Sequence, residues 1–460
     1  MTCKKYVITK ENILWFLLLL CCAGTLYSTF FTLPFLIILI FNTLYYMHNA
    51  TGFYNKGIIL LLNYTPFYTL IRVNLIYLKA GLASNLLNYF RDLVIIILFI
   101  SCIRKKDFKI NKPDFAWIIF FLNWGLGLAV SSINGYPLLG ISGFHLSAIP
   151  MLLFYIVVYD NAHLDVSIFI NQFLKIATIV ALVGLVAYYA RPSVYCQLFS
   201  TAGNQIDAAD YVRFVSFFFT PNVCGCFLAI AISISLVEFL YKHKWGYLGL
   251  IILFVYCVIL TLSRGAWLFT VSSFLITFCL MKPKVGLPIF FIIGIGFAFY
   301  YLSDNDLLNS NNFMTNIIKD RVISIFDRTN TSSYGRVSAA MDALKQLKYN
   351  PWGYGLGMAT TAQINYGNIS NISTIDGFYM KSVIETGILG IVYVCTFVIW
   401  LLERSFWSYR GSKNEAGALA ILVVIGFLLQ SVGSNTFDFI CTAPWVWIIL
   451  GIAVKKTHLI

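Results

Sequence analysis

Phe217-Phe-Phe-Thr-Pro-Asn-Val-Cys-Gly-Cys-Phe-Leu-Ala-Ile-Ala-Ile-Ser-Ile-Ser-Leu-Val-Glu-Phe-Leu240 runs for 24 residues with one charge, Glu238. A hydrocarbon core of about 30 Å takes roughly 20 apolar residues as a helix. The stretch has that length, and a helix satisfies its own backbone where no water is at hand. A short basic break follows, Lys242-His-Lys244, and a second apolar run occupies 246–262. The same alternation extends over the whole chain. Fourteen segments read as spans, with cores at 13–31, 33–47, 57–78, 86–103, 114–132, 146–159, 167–189, 217–240, 246–262, 266–281, 286–302, 377–402, 415–432 and 439–454. The first two, and 57–78 with its internal Pro66, are the segments where a helix break would change the count.

Composition agrees. Of 460 residues, 59% are hydrophobic and 11% charged, against roughly 25% charged in an average soluble domain. A soluble fold of this length cannot hide so much apolar surface. That excludes a soluble enzyme, a disordered chain and a secreted disulfide scaffold. The expected class is an all-α, polytopic integral membrane protein of about 14 helices, one membrane domain over 1–460. The net charge of +13 does not indicate nucleic-acid binding, because most lysines sit in short breaks between apolar runs. Cys21, Cys22, Cys102, Cys224, Cys226, Cys257, Cys279 and Cys395 lie in or beside apolar runs and read as small hydrophobes. Neither the cysteines nor the five histidines have zinc spacing, so no metal and no cofactor is expected.

Lys and Arg bias sets the orientation. With Lys4, Lys5 and Lys10 in the cytoplasm, the basic breaks at 104–112, 242–244, 282–284, 404–413 and 455–456 all fall on that side. Both termini are then cytoplasmic, and the first apolar run reads as an anchor without a cleavage pattern. Two longer polar segments, 190–216 and 303–376, fall on the outer, periplasmic side of a bacterial inner membrane. In the second, Val337, Met341, Leu344 and Leu347 recur at helical spacing after a capping Ser332 or Ser333, as in a helix lying along a membrane boundary.

The outer segments break the basic bias. Arg213, Lys319, Arg321, Arg328, Arg336, Lys345 and Lys348 lie there, and Arg264 lies at the outer end of the ninth span, which points to an anionic ligand. Arginine suits phosphate because its planar fork donates two parallel hydrogen bonds. The lysines read more simply as loop surface, paired with Asp320, Asp327 or Asp342. Arg213 and Arg264 abut apolar spans, where an unpaired charge costs roughly 2.5 kcal/mol or more. Pro221 and Asn222 open a span whose backbone N–H groups can meet an anion.

Three patterns follow in order. They are Arg213-Phe-Val-Ser-Phe-Phe-Phe-Thr-Pro221-Asn222; Thr261-Leu-Ser263-Arg264-Gly265-Ala-Trp267; and a third beginning at Arg336. The third continues through Pro351-Trp-Gly353-Tyr-Gly355-Leu-Gly357 to Asp376-Gly-Phe-Tyr379 and Glu385-Thr-Gly387-Ile-Leu-Gly390. In this order they resemble the bacterial O-antigen ligase and O-antigen polymerase superfamily, by motif over roughly 210–395 and by topology over the whole chain. Ligases carry His-Asn where this chain has Asp376-Gly377. The ligase histidine is regarded as a base for an acceptor hydroxyl. An aspartate can serve where geometry compensates for weak basicity, and it can also simply cap the helix. The change favours a polymerase. Glu385, deep in the following span, reads as an interhelical hydrogen-bonding group. His145 and Asp438, also assigned to the outer face, are reserve bases.

The resemblance implies a GT-C-like membrane glycosyltransferase. It would act on oligosaccharide repeat units carried on undecaprenyl pyrophosphate, moving the growing glycan to the non-reducing end of an incoming lipid-linked unit. Asp376 would be the base and Arg264 the catalytic cation. Arg213, Arg264, Arg321, Arg336, Asn222, Gly355 and Tyr379 would hold pyrophosphate and glycan. Membrane lipid and the lipid-linked oligosaccharide are the expected partners, with a chain-length regulator protein as a further candidate. The alternatives are an O-antigen ligase with a lipid A-core acceptor and, from another class, a lipid-linked oligosaccharide flippase or transporter. Transporters usually show internal repeats or polar midplane residues.

Overall fold

A computed structural model describes residues 10–104, 115–159, 166–202, 213–281, 338, 341–342, 344–345, 347–360, 376–412 and 414–458. Among them there is no strand. The helices are α1 (Lys10–Tyr27), α2 (Thr32–Asn49), α3 (Phe53–Tyr64), α4 (Tyr68–Tyr77), α5 (Gly81–Ile103), α6 (Phe115–Ile133), α7 (Pro137–Ser147) and α8 (Leu152–Tyr159). After them come α9 (Val166–Ala190), α10 (Ser193–Thr201), α11 (Pro221–Lys242), α12 (Trp245–Thr261) and α13 (Arg264–Met281). The last three are α14 (Phe378–Ser412), α15 (Glu415–Gln430) and α16 (Ala443–His458).

Eight helical stretches are long and apolar enough to cross a membrane, and the bent pair α3–α4 makes a ninth. Four shorter apolar helices, α12, α13, α15 and α16, fill the remaining places. The chain is an all-α polytopic membrane protein. Of the expected spans only 286–302 lies outside the described residues. At Pro66 the chain bends by 54° between α3 and α4, as a ring without a donor N–H requires. The segment 190–216 is more than a loop, since it holds α10. Of the expected boundary helix, Ser338, Met341, Asp342, Leu344 and Lys345 are helical, and Met341 and Leu344 are exposed. Val337, Ser332 and Ser333 lie outside the described residues, and Leu347 is in a turn.

The quoted stretch becomes α11, the most enclosed of the eight long apolar helices, with 83% of its membrane window buried. It packs against α9, α12, α13 and α15. Phe227 stacks on Phe173 of α9 at 4.7 Å between centroids. A second aromatic centre joins α14, α15 and α16: Phe437 sits 4.9 Å from both Phe378 and Phe397. Such pairs add about 0.5–1.5 kcal/mol each beyond area burial. That matters in a membrane, where burial from water does not drive helices together.

One expectation is corrected here. His145 is not at the outer face. The helix starts at Pro137, favoured at N1, so His145 lies eight residues inside the span, about 12 Å from its start. Its Nδ1 is 2.7 Å from Asp92 Oδ2 on α5. Arg91 Nε donates to Asp92 Oδ1 at 2.8 Å, and Arg91 Nη2 donates to the His145 carbonyl at 2.9 Å. Arg91 is fully buried. Charges at that depth persist only when paired, and this cluster ties α5 to α7.

Candidate functional site

α11, α13 and α14 all begin at one end of the bundle, and α12 and α15 end there. The basic breaks 242–244 and 404–413 lie at the opposite end. We call the first the far end. Each of those helix starts carries the positive pole of its dipole and N–H groups without intrahelical acceptors.

The α12–α13 corner is tight. Leu262 caps α12 in the left-handed region at φ 52°, a costly conformation for a side chain with a Cβ. Arg213 reaches across to hold it. Its Nε donates to the Thr261 carbonyl at 2.9 Å and its Nη2 to the Leu262 carbonyl at 3.0 Å. The Phe214 N–H donates to the Leu260 carbonyl at 3.0 Å. The guanidinium thus satisfies carbonyls at a helix C-terminus, where a cation is also favoured by the dipole. The fork that suggested phosphate is occupied here by backbone.

The corner then closes on α11. Ser263 Oγ donates to Asn222 Oδ1 at 2.9 Å, and Gln430 Nε2, from the end of α15, donates to the Asn222 carbonyl at 3.0 Å. Gly265 is required at this crossing, because a Cβ there would stand 2.9 Å from Gln430 Cγ. Arg264, half-buried, is the first residue of α13.

α14 enters beside the same end of α15. Gly377 has φ 113°, and a Cβ on it would lie 2.6 Å from the Val432 carbonyl oxygen. The Phe378 N–H donates to the Ser431 carbonyl at 3.0 Å, and Tyr379 Oη donates to the Leu428 carbonyl at 2.6 Å. Asp376 precedes this contact and is exposed. Arg264 and Asp376 therefore flank one helix end, at Gln430 and Val432. Tyr379 is engaged with backbone. Arg321 and Arg336 lie outside the described residues.

The glycine-rich turn does not wait open for a ligand. It is driven into a seam between α6 and α14. The Tyr354 and Gly355 N–H groups donate to the carbonyls of Ile384 and Glu385 at 3.0 and 2.8 Å, and the Leu356 N–H to that of Gly127 at 3.2 Å. Ser131 Oγ donates to the Leu356 carbonyl at 3.0 Å. Gly355, at φ 102°, lies so close to α6 that a Cβ would be 2.6 Å from the Ser131 nitrogen. α14 yields to receive the turn: Gly387 leaves the helical region (φ 62°, ψ −135°). The Ile388 N–H donates to the Pro351 carbonyl at 3.0 Å. Glu385 Oε1 accepts the Gly357 N–H at 2.9 Å. The glycine-rich turn and Glu-x-Gly-x-x-Gly are two halves of one joint.

Lys381 was missed in the sequence, although a Lys four residues before Glu385 in an apolar helix signals a pair. Its Nζ donates to Asp438 Oδ2 at 2.5 Å and lies 3.7 Å from Glu385 Oε2. Asp438 thus stands in the connector between α15 and α16, partnered with Lys381. Three residues on, Cys441 shares a hydrogen bond with Thr69 of α4. Gln430, the other residue missed, is a lone amide closing an apolar helix.

Residues 249–395 match the family model described as O-Antigen ligase. The match covers about a third of the chain and, with the helices, supports a membrane protein of the O-antigen ligase and polymerase superfamily. That is the superfamily the three motifs resemble, and the match does not separate ligase from polymerase. No curated protein matches the chain.

Proposed function

We propose that the protein is an O-antigen polymerase. It transfers a growing glycan from undecaprenyl pyrophosphate to the non-reducing end of an incoming lipid-linked repeat unit, at the periplasmic face of the inner membrane. The observation that carries this reading is the convergence of three helix starts at the far end, with Arg264 opening one and Asp376 preceding another.

The donor is already activated, so the protein has few tasks. The acceptor hydroxyl oxygen attacks the anomeric carbon, the bond from that carbon to the diphosphate breaks, and the diphosphate leaves with the electron pair. Arg264 and the N-termini of α11 and α13 meet the charge that develops on the leaving oxygen. Asp376 takes the hydroxyl proton. Asn222, Ser263 and Gln430 hold the α11–α13 corner in register. Arg321 and Arg336 stay in the proposal as diphosphate or glycan contacts. Arg213 acts through the corner it caps, and Gly355 through the seam.

The aspartate in place of the ligase histidine favours polymerase over ligase. A transporter is disfavoured because Arg264 and Asp376 gather at one end of the bundle. The test is reconstitution with lipid-linked repeat units, with and without lipid A-core. Polymer formed on lipid-linked units alone supports the proposal. Transfer that occurs only when lipid A-core is present makes the protein a ligase.

A further inference from the structure

α2 ends, and α3 and α9 begin, at the end of the bundle away from Arg264 and Asp376. A cavity of about 150 Å³ lies between them. The turn after α2 forms its mouth, where Asn49 and Thr51 are exposed. Ile58 and Ile59 of α3 and Phe169 of α9 make apolar walls and are buried. Gln172 completes the lining, about 9 Å along α9 from its start at Val166.

Gln172 is 1% exposed, and neither its Nε2 nor its Oε1 has a hydrogen-bond partner among the described residues. Burying an amide with donor and acceptor both unmet destabilises a fold, and a methionine of similar length would avoid that cost. The polar neighbours do not relieve it. Asn55 Nδ2 donates to the Thr51 carbonyl at 2.7 Å. Lys175, one turn along α9, is engaged with Glu11 and Tyr46. Ordered water fits poorly here, since each buried water needs about three polar partners and the walls beside Gln172 are apolar.

We propose that this cavity binds a small, uncharged molecule that carries a hydrogen-bond donor beside an acceptor on a flat apolar body, the pattern of a cyclic amide. The Gln172 carboxamide presents the complementary pair. Its Nε2 donates to the ligand's carbonyl and its Oε1 accepts the ligand's N–H, as a glutamine meets the edge of adenine. The size agrees, because an apolar cavity of about 150 Å³ takes one benzene. A single six-membered ring therefore fills it, with the ring against Ile58, Ile59 and Phe169. No charged side chain lines it among the described residues, which selects a neutral ligand. The site lies at the opposite end from the proposed glycan transfer and does not depend on that reading.

The test uses the full chain in phosphatidylcholine nanodiscs and 2-pyridone as the probe, by equilibrium dialysis against empty nanodiscs. Saturable binding at one probe per chain is expected, with a Kd of about 1 mM or tighter. 4-Methyl-2-pyridone should bind like the parent. N-Methyl-2-pyridone, equal in size but without the N–H, should bind about fivefold more weakly or worse. Gln172→Met should abolish saturable binding and raise the Tm of the ligand-free protein, which a merely structural glutamine would not do. Equal affinity for the two methylated probes overturns the proposal, as does binding that survives in the methionine variant. No saturable binding up to about 10 mM, or a methionine variant that melts below wild type, assigns the cavity to ordered water and overturns it too. If the variant does not fold, the two methylated probes on the wild-type chain decide the matter.

Discussion

Replacing Glu385 by alanine should undock the glycine-rich turn. The carboxylate accepts the Gly357 N–H at 2.9 Å and stands 3.7 Å from Lys381, with both side chains 2–3% exposed. Without it a buried N–H loses its acceptor, at about 1–3 kcal/mol. Removing one partner of a buried ion pair costs about 3–5 kcal/mol, but Lys381 keeps Asp438 at 2.5 Å, which spares part of that. We expect a loss of about 3 kcal/mol in total. Glu385→Gln keeps an oxygen for Gly357 and should lose only about 1 kcal/mol. The assays are thermal melting of the solubilised protein, limited proteolysis around Tyr349–Tyr354, and glycan transfer per folded molecule. Alanine should lower the Tm, expose the turn to protease and abolish transfer, whereas glutamine should stay near wild type in all three. If the glutamine variant melts and resists protease normally yet transfers about 10²-fold more slowly, the carboxylate performs chemistry and the joint is not its main role.

Arg264→Ala should abolish chain extension without lowering expression or membrane insertion. Arg264→Lys should restore only part of the rate, since it keeps charge but loses the fork; full activity in the alanine variant removes this residue from the mechanism. Arg213→Ala should behave differently, lowering the Tm through two lost carbonyl bonds worth about 1–2 kcal/mol, and an unchanged melting curve with lost donor binding would return it to the diphosphate. Asp376→Asn should slow the chemical step about 10²-fold or more with donor binding little changed, and near-normal polymer from that variant refutes the base. Tyr349→Cys, 85% exposed, should react with an impermeant maleimide in intact cells of a cysteine-less background; labelling only after lysis reverses the orientation.

The spans were legible because each carries its own signal, an apolar run of fixed length ended by charge. Even the bend at Pro66 was marked by a residue that cannot continue a helix. Partners across the bundle were not legible. Gly355 looked like a backbone free to approach a ligand, and only the position of Ser131, more than two hundred residues away, shows that it approaches α6. Arg213 looked like a phosphate fork because sequence cannot show that Leu262 turns left-handed and leaves carbonyls for it. Arg91-Asp92 was passed over inside an apolar run, although two adjacent opposite charges at that depth signal a paired cluster. His145 was misplaced through a boundary error, its span beginning nine residues earlier than the hydrophobicity suggested. Of the candidate site, Asn222, Arg264 and Asp376 do come to one end of the bundle. Tyr379 reaches it too, but with its hydroxyl engaged by α15.

The joint at Gly353, Gly355 and Gly387 also marks a cutting point. Residues 351–357 are welded to α6 and α14 largely by backbone bonds that no side-chain exchange upstream can reach. A segment exchanged upstream of Asn350 therefore leaves the bonds of this joint in place. Chimeras joined at Asn350 should insert and melt like the parent while taking on the donor segment's preference among glycans. Those joined a few residues later, inside the seam, should not.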